Sequence, residues 1–199
     1  EPASSPSPFY IEKGITKEFK SDSCRIYFST KSLFESMYLE LKHNADTFDL
    51  QMNTAPLKGK ITIGLKPNIP QQLRAKTKVY SYNKRNASFY NEGGIWNGDF
   101  IQFKTKSFDQ YLCLTDTAKP VFSNPTIRGN SFTISIQDDL SGIAKYKAQL
   151  NGVWVLLEYY PNDSLFQVLT LNNTPLIGEL IIDAWDDVNN HSTFKYTLK

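Results

Sequence analysis

The stretch QDDLSGIAKYKAQLNGVWVLL, residues 137–157, decides how this chain folds. It opens with turn-forming residues from Asp138 to Gly142, which end one strand and start the next because their side chains bond the backbone or leave φ free. Two apolar runs follow, and Asn151-Gly152 lies between them. An Asn-Gly pair in that position supplies the positive φ values of a type I′ turn and predicts a β-hairpin.

Short alternating runs separated by turn signals continue along the rest of the chain. Gly59 to Leu65 is the clearest, because Ile61, Ile63 and Leu65 share one face of an extended strand. The many Phe and Tyr residues, 13 and 11, also favour strands. Ser32 to Lys42 is the only helical candidate, and we expect a short helical turn leading into a strand. Short strands at hairpin spacing without long helices predict antiparallel sandwiches.

A break from Asp116 to Pro120 divides the chain into two β-rich segments. We predict a linker over residues 1–8, a first β-sandwich domain over 9–116 and an immunoglobulin-like β-sandwich domain over 117–199. Pro and Ser alternate in the linker, a pattern that cannot bury a core. The second segment has room for the seven strands of an immunoglobulin-like domain. The predicted fold class is all-β, with two consecutive antiparallel sandwiches.

Composition excludes several classes of protein. The formal net charge of +2 over 199 residues provides no electrostatic footprint for nucleic acid. No apolar run reaches the roughly 18 residues of a membrane span, and the first residues, EPASSPSP, do not have the pattern of a signal peptide. Because the chain starts in that segment without Met, we expect a mature or trimmed form. Cys24 and Cys113 either form one disulfide or stay as buried free thiols.

Several motifs resemble a known family. Asp138 to Ile143 (DDLSGI), Asn151-Gly152 followed by Trp154-Val155, and Ala184 to Asn190 (AWDDVNN) are similar to the C-terminal β-sandwich module of Gram-negative lysostaphin-like murein zinc metallopeptidases. The family's last element resembles a D-x-x-G-N turn, and here Asn replaces Gly, which also tolerates left-handed φ. The first segment resembles the β-rich module before it. The resemblance implies an exported protein of the periplasm or cell envelope, with peptidoglycan or an upstream catalytic domain as partner.

The zinc ligands of those peptidases are missing from the sequence. They follow H-x(3)-D and H-x-H patterns, but His43 is followed by Thr47 and His191 by Thr193. The sequence also contains no nucleophile motif such as G-x-S-x-G and no glycine-rich phosphate-binding loop. We therefore predict no enzyme but an accessory region for spacing, targeting or binding in a cell-wall peptidase-like protein. The alternative is a stand-alone envelope protein that binds carbohydrate or protein. A hydrolase that uses turn carboxylates fits less well, because exposed aspartates have no apolar pocket to raise one pKa.

Two acidic turns are a candidate metal site. Asp138 and Asp139 precede one strand of the second domain, Asp186 and Asp187 follow another, and both turns are expected at one pole. Hard carboxylate oxygens from two loops suit Ca²⁺, the only cofactor we consider. The simpler interpretation is that these are solvated aspartates chosen for turn geometry, because the loops lack the regular spacing of known calcium loops.

Aromatic side chains are the candidate ligand-binding residues. Trp96 lies in the Gly-rich segment GGIWNG, and with Tyr90 and Asn97 it is predicted either to bind a ligand or to pack on the sandwich end. Trp154 and Trp185 lie in apolar strands, where we expect both to fill the core.

Overall fold

A computed structural model describes residues 9–52, 56–170 and 174–199, so the predicted linker over 1–8 lies outside the described residues. The described residues form twenty β-strands and one short 3₁₀ helix over Gln71–Lys76. This confirms the all-β prediction. The chain divides into two compact units, Glu1–Thr115 and Asp116–Lys199. Within the described residues, no helix has the length and apolar character to cross a membrane.

The first unit contains two antiparallel sheets. One has six strands in the order β1 (Phe9–Ile11), β4 (Met37–Asn44), β5 (Thr47–Met52), β11 (Gln110–Thr115), β7 (Thr77–Asn83) and β8 (Ser88–Gly93). The other has five strands in the order β2 (Lys17–Lys20), β3 (Cys24–Phe28), β6 (Ile61–Leu65), β10 (Phe100–Thr105) and β9 (Ile95–Asn97).

A single core lies between these two sheets. Cys24, Ile26 and Phe28 alternate along β3 and are fully buried, while the residues between them face solvent. Phe103 of the five-stranded sheet meets Tyr111 of the six-stranded sheet edge to face, with ring centroids 4.9 Å apart. Burying each such large side chain contributes about 1.5 to 3 kcal/mol. The period-two pattern of the sequence therefore determines which face of each strand lies inward.

The second unit has the strand order of an immunoglobulin-like domain. Its strands are β12 (Val121–Phe122), β13 (Thr126–Arg128), β14 (Ser131–Ile134), β15 (Ile136–Gln137), β16 (Ile143–Leu150), β17 (Val153–Tyr160), β18 (Leu165–Leu169), β19 (Gly178–Asp186) and β20 (His191–Leu198). The order β13-β14-β18-β17 matches A-B-E-D, and β16-β19-β20 matches C-F-G. The β16–β17 hairpin joins the two sets into one sheet, and β12 pairs with β15.

This seven-stranded sheet folds over its own core. Phe132 of β14 and Tyr196 of β20 belong to strands near opposite ends of the sheet, yet their ring centroids are 5.8 Å apart. Phe132, Leu180 and Ile182 are fully buried in the same apolar cluster. The two halves of the sheet therefore face each other, as the layers of a sandwich do.

The predicted hairpin is confirmed, with Leu150 paired to Val153 across the turn. Asn151 has φ 52° and Gly152 has φ 79°, as a type I′ turn requires. The Asn151 side chain also donates to the Ile177 carbonyl (2.9 Å) and accepts from the Glu179 amide (2.9 Å). The turn is thereby attached to the beginning of β19, which the sequence pattern does not reveal.

The expected helical turn in Ser32 to Lys42 was wrong. Strand β4 begins at Met37, and Leu33 forms an isolated antiparallel bridge with Leu57. The chain bends after Leu33 and enters β4 at Met37, so that both side chains reach the core, and the burial gained outweighs weak local helix propensity. The 3₁₀ helix lies instead after Pro70.

Both cysteines are buried free thiols in the core of the first unit. Cys24 lies on β3 and Cys113 on β11, in different sheets. Burial raises the pKa of each thiol to about 12. The sequence allowed either a disulfide between Cys24 and Cys113 or two buried free thiols, and the structure contains the free thiols.

Candidate functional site

Trp96 is a packed residue of a strand rather than an exposed loop residue. It lies on β9 opposite Ile101 and packs half-buried against the core. Its indole Nε1 donates to the Arg74 carbonyl (2.8 Å), and the Arg74 guanidinium lies 4.7 Å from the ring centroid. The loop interpretation is corrected, and the packing alternative describes this residue. Asn97 is exposed at the end of the same short strand.

Tyr90 lies elsewhere, in a groove of about 890 Å³ in the first unit. The groove is formed at the β7–β8 and β10–β11 connections and beside the middle of β5. Three aromatic and three cationic side chains line it: Tyr82, Tyr90, Phe108, Lys84, Arg85 and Lys106. Trp96 and Asn97 are not among its lining residues, so the structure separates Tyr90 from the other two predicted binding residues.

The β7–β8 turn positions the groove's tyrosine and two of its cations. Asn83 caps the turn by accepting from the Arg85 amide (2.9 Å), and Ala87 adopts a left-handed φ of 52°. The Asn86 side chain donates to the Tyr90 hydroxyl (3.1 Å). Tyr90 is nevertheless 50% exposed, so part of its side chain is accessible to a ligand.

The groove carries a positive excess that is open to solvent. Lys84, Arg85 and Lys106 are exposed, and no carboxylate of the described residues lies within ion-pairing distance of them. Two carboxylates, Asp49 and Asp109, also line the groove. Three cations against two anions, beside an open aromatic ring, suit a ligand that combines carboxylates with ring or apolar groups.

The prediction that Trp154 fills the core was wrong. Trp154 is 61% exposed, because Val155 and Leu157 take the inward positions of β17. Leu156 and Tyr160 follow at alternate positions on the same outer face and are 45% and 38% exposed. This row extends over about 20 Å, at roughly 3.4 Å per residue. We call Trp154, Leu156 and Tyr160 the outer aromatic row.

Trp185 is also outside the core, half-buried on the outward side of β19. It stacks on His191 with ring centroids 4.5 Å apart. Neighbouring Asp183 accepts hydrogen bonds from His191 (2.9 Å) and Thr193 (2.6 Å) and pairs with Lys147 (3.3 Å). Burial alone would raise the pKa of Asp183, but these contacts outweigh it and lower that pKa. The expected core role of Trp185 is thus replaced by a polar surface cluster.

The two acidic turns meet at one pole of the second unit through Asp138 and Asp186, two of the four predicted residues, and Asp116 joins them in place of Asp139 and Asp187. Carboxylate oxygens of Asp116, Asp138 and Asp186 lie within 4.8 Å of one another. Asp139 and Asp187 are exposed and do not belong to this cluster. Asp116 was missed because it lies in the break between the two segments, far from both turns in sequence.

These carboxylates also cap their own turns. The Asp186 carboxylate accepts from the amides of Val188 (3.0 Å) and Asn190 (2.7 Å), and Asp138 Oδ1 accepts from the Gly142 amide (2.7 Å). Asp116 accepts from the amides of Ala118 and Ser141. Asp186 is 1% exposed, so the view that the turn aspartates are solvated is wrong for this residue, and Asp116 is likewise buried at 3%. Asp139 and Asp187 are exposed, as that view expected.

Placing three carboxylates together is costly without a cation. Two unit charges 4.8 Å apart repel by roughly 3 to 4 kcal/mol at the effective dielectric constant typical of protein sites. No Lys or Arg among the described residues forms an ion pair with any of the three. We call Asp116, Asp138 and Asp186 the acidic cluster.

With the fold established as all-β and its second unit as immunoglobulin-like, the comparison with known families concerns the first unit. Residues 10–116 match the family described as Zu5-like domain, which is more than half of the 199 residues. The chain belongs to the Zu5-like domain family. No curated protein matches the sequence. The matched region contains the groove beside Tyr90.

Proposed function

We propose that this chain is a non-catalytic binding region of an exported, cell-wall peptidase-like protein, and that the groove beside Tyr90 is its binding site. The observation that carries the proposal is the combination of an open tyrosine ring with three cations that lack ion-pair partners among the described residues. Binding residues on loops held by a rigid sandwich are a common arrangement.

Peptidoglycan is the ligand that this chemistry fits best. Its peptide stems carry carboxylates, which Lys84, Arg85 and Lys106 would pair with, and its sugar rings offer apolar faces to Tyr90. This partner agrees with the resemblance of the second unit to murein peptidase modules. The proposed location is the periplasm or cell envelope.

The nucleophile and base candidates support a non-catalytic role. The thiols of Cys24 and Cys113 have pKa values raised to about 12 by burial, so they remain protonated near neutral pH. His43 stacks on Phe48 with ring centroids 4.3 Å apart, and His191 bonds Asp183. The two histidines belong to different units, on β4 and β20.

Sedimentation with purified peptidoglycan tests the proposal. We expect the wild-type protein to sediment, and Tyr90→Ala and Arg85→Glu each to weaken binding by about tenfold, the effect of losing one charge-assisted or aromatic contact. Tyr27→Ala and Lys104→Glu are matched controls, because both residues are exposed and neither lines the groove. Binding should also weaken as salt is raised. If the wild type stays in the supernatant, or if the controls weaken binding as much as the groove variants, the proposal is wrong.

Two further measurements address catalysis. Purified protein is expected to contain no stoichiometric zinc by elemental analysis and to release no fragments from peptidoglycan. Zinc bound at one ion per chain together with fragment release would contradict the non-catalytic assignment.

The outer aromatic row supports a second candidate, a stand-alone envelope protein that binds carbohydrate. Trp154 is 61% exposed on the outer face of β17, where its ring could stack on a sugar. Glycan chains stripped of their peptides distinguish the two candidates. Loss of glycan binding in Trp154→Ala, with Tyr90→Ala unaffected, would favour the aromatic row. Binding that needs the peptides and Tyr90 would favour the groove.

A further inference from the structure

We propose that the acidic cluster of the second unit holds one Ca²⁺ ion, with Asp116, Asp138 and Asp186 as its carboxylate ligands. This site lies in the second unit and is independent of the groove. It differs from the sequence prediction, which paired Asp138 and Asp186 with their exposed neighbours.

The spacing of the three carboxylates fits one ion. Ca²⁺ binds oxygen at about 2.3 to 2.6 Å, so two of its ligands can be at most about 4.6 to 5.2 Å apart. Every pair of the three oxygens lies within 4.8 Å, which is inside the separation that one ion can bridge. A site made only of carboxylates favours a hard cation over zinc or copper.

A second observation is independent of the clustering. The Oδ2 atom of Asp138 is shielded from solvent and has no hydrogen-bond partner. Capping the turn requires only Oδ1, which accepts from Leu140, Ser141 and Gly142. A buried carboxylate oxygen without a donor is unfavourable, because nothing replaces the water it has lost. A cation between Asp138 and the two other aspartates would supply that missing contact.

Turn capping alone does not explain the arrangement. Each turn needs one acceptor, and Asn or Ser would serve as well without bringing charge together. The cluster instead connects three separate stretches of chain: the start of the unit at Asp116, the segment before β16 and the end of β19. An ion there would hold these stretches together, so Ca²⁺ is expected to stabilise the second unit.

Calcium titration of the purified full chain, first dialysed against EGTA, tests the site. Isothermal titration calorimetry is expected to show one Ca²⁺ bound per chain, and the melting temperature is expected to rise with added Ca²⁺. Asp138→Asn keeps the turn cap but removes a ligand charge, so affinity should fall at least about tenfold. Asp139→Asn, an exposed neighbour outside the cluster, should retain the wild-type response.

The Asp138→Asn variant also distinguishes a calcium site from carboxylates that only cap turns. With EGTA present, this variant should have a higher melting temperature than the wild type. The reason is that the new amide carries no charge, so it does not repel the other two carboxylates, and it can donate a hydrogen bond to them. With Ca²⁺ present, that order should reverse. If calorimetry shows no binding to the wild type and Ca²⁺ leaves its melting temperature unchanged, the proposal is overturned. Undiminished binding in both Asp138→Asn and Asp116→Asn would also overturn it, because the ion would then lie elsewhere.

Discussion

Replacing Asn151 with alanine should destabilise the protein more than replacing it with glycine. Asn151 has two roles in the hairpin turn: it adopts a left-handed φ of 52°, and its side chain bonds the Ile177 carbonyl and the Glu179 amide. Alanine removes both hydrogen bonds and is strained at that φ. Glycine removes the hydrogen bonds but adopts the φ freely.

The two contributions can be estimated separately. Left-handed backbone costs an L-residue such as alanine about 1 to 2 kcal/mol. Each neutral hydrogen bond contributes about 0.5 to 1.5 kcal/mol net, and these two are at an exposed turn, so the lower half of that range applies. Asn151→Ala should therefore lower the free energy of unfolding by about 2 to 4 kcal/mol, and Asn151→Gly by about 1 to 2 kcal/mol.

Urea unfolding followed by circular dichroism and tryptophan fluorescence measures these differences. For each variant, the two probes should give the same unfolding transition. The slope of the unfolding free energy against urea concentration should be equal among the variants, since only then do differences in midpoint report differences in stability. Equal losses in the alanine and glycine variants would show that the left-handed φ carries no cost. An alanine variant within about 0.5 kcal/mol of the wild type, the range of ordinary surface substitutions, would refute the reasoning altogether.

Three further outcomes are expected. Gly178→Ala should destabilise the protein strongly, because a Cβ there would collide with the Asn151 side chain and φ is +110°; adding Asn151→Gly should recover only part of the melting temperature. Since the pKa of Asp183 is lowered in the folded state, its stabilisation is present above the unfolded pKa, near 4, and lost as pH falls. The difference in unfolding free energy between wild type and Asp183→Asn should therefore shrink from pH 7 to pH 2.5, and a constant difference would contradict the assignment. Cys24 and Cys113 should react with Ellman's reagent at pH 8 only after urea is added, and rapid labelling of the native chain would contradict their burial.

Local patterns predicted the elements of this fold well. Asn151-Gly152 occupies a type I′ turn, and Asn189 adopts the left-handed φ (60°) expected where the resembling family has glycine. These predictions succeeded because a turn's φ values are set by the residues within it. In Ser32 to Lys42 the expected strand exists as β4, but the helical turn before it does not, because Leu33 and Met37 gain more from reaching the core than a local helical turn provides.

The candidate sites were less predictable, because they depend on register and on residues distant in sequence. Trp154 was predicted to lie in the core, but strand alternation places only one face of β17 inward, and Leu157 lies on that face while Trp154 lies on the other. Trp96 was read as a loop residue because its partner, the Arg74 carbonyl, is 22 positions away. Of the residues that line the groove, only Tyr90 was predicted as a binding residue. The cations of the groove come from two different connections between strands, and the sequence does not show that these connections lie side by side.

Residues 137–157 show, within a single hairpin, which features follow from the sequence and which depend on the tertiary structure. Sequence alone determined its turn, its strands and its place in an all-β chain, since these follow from backbone preferences and period-two alternation. Only the tertiary structure decided that Asp138, and not Asp139, meets Asp116 and Asp186. Which carboxylate points into a shared site depends on how three stretches of chain converge, and no local preference encodes that convergence.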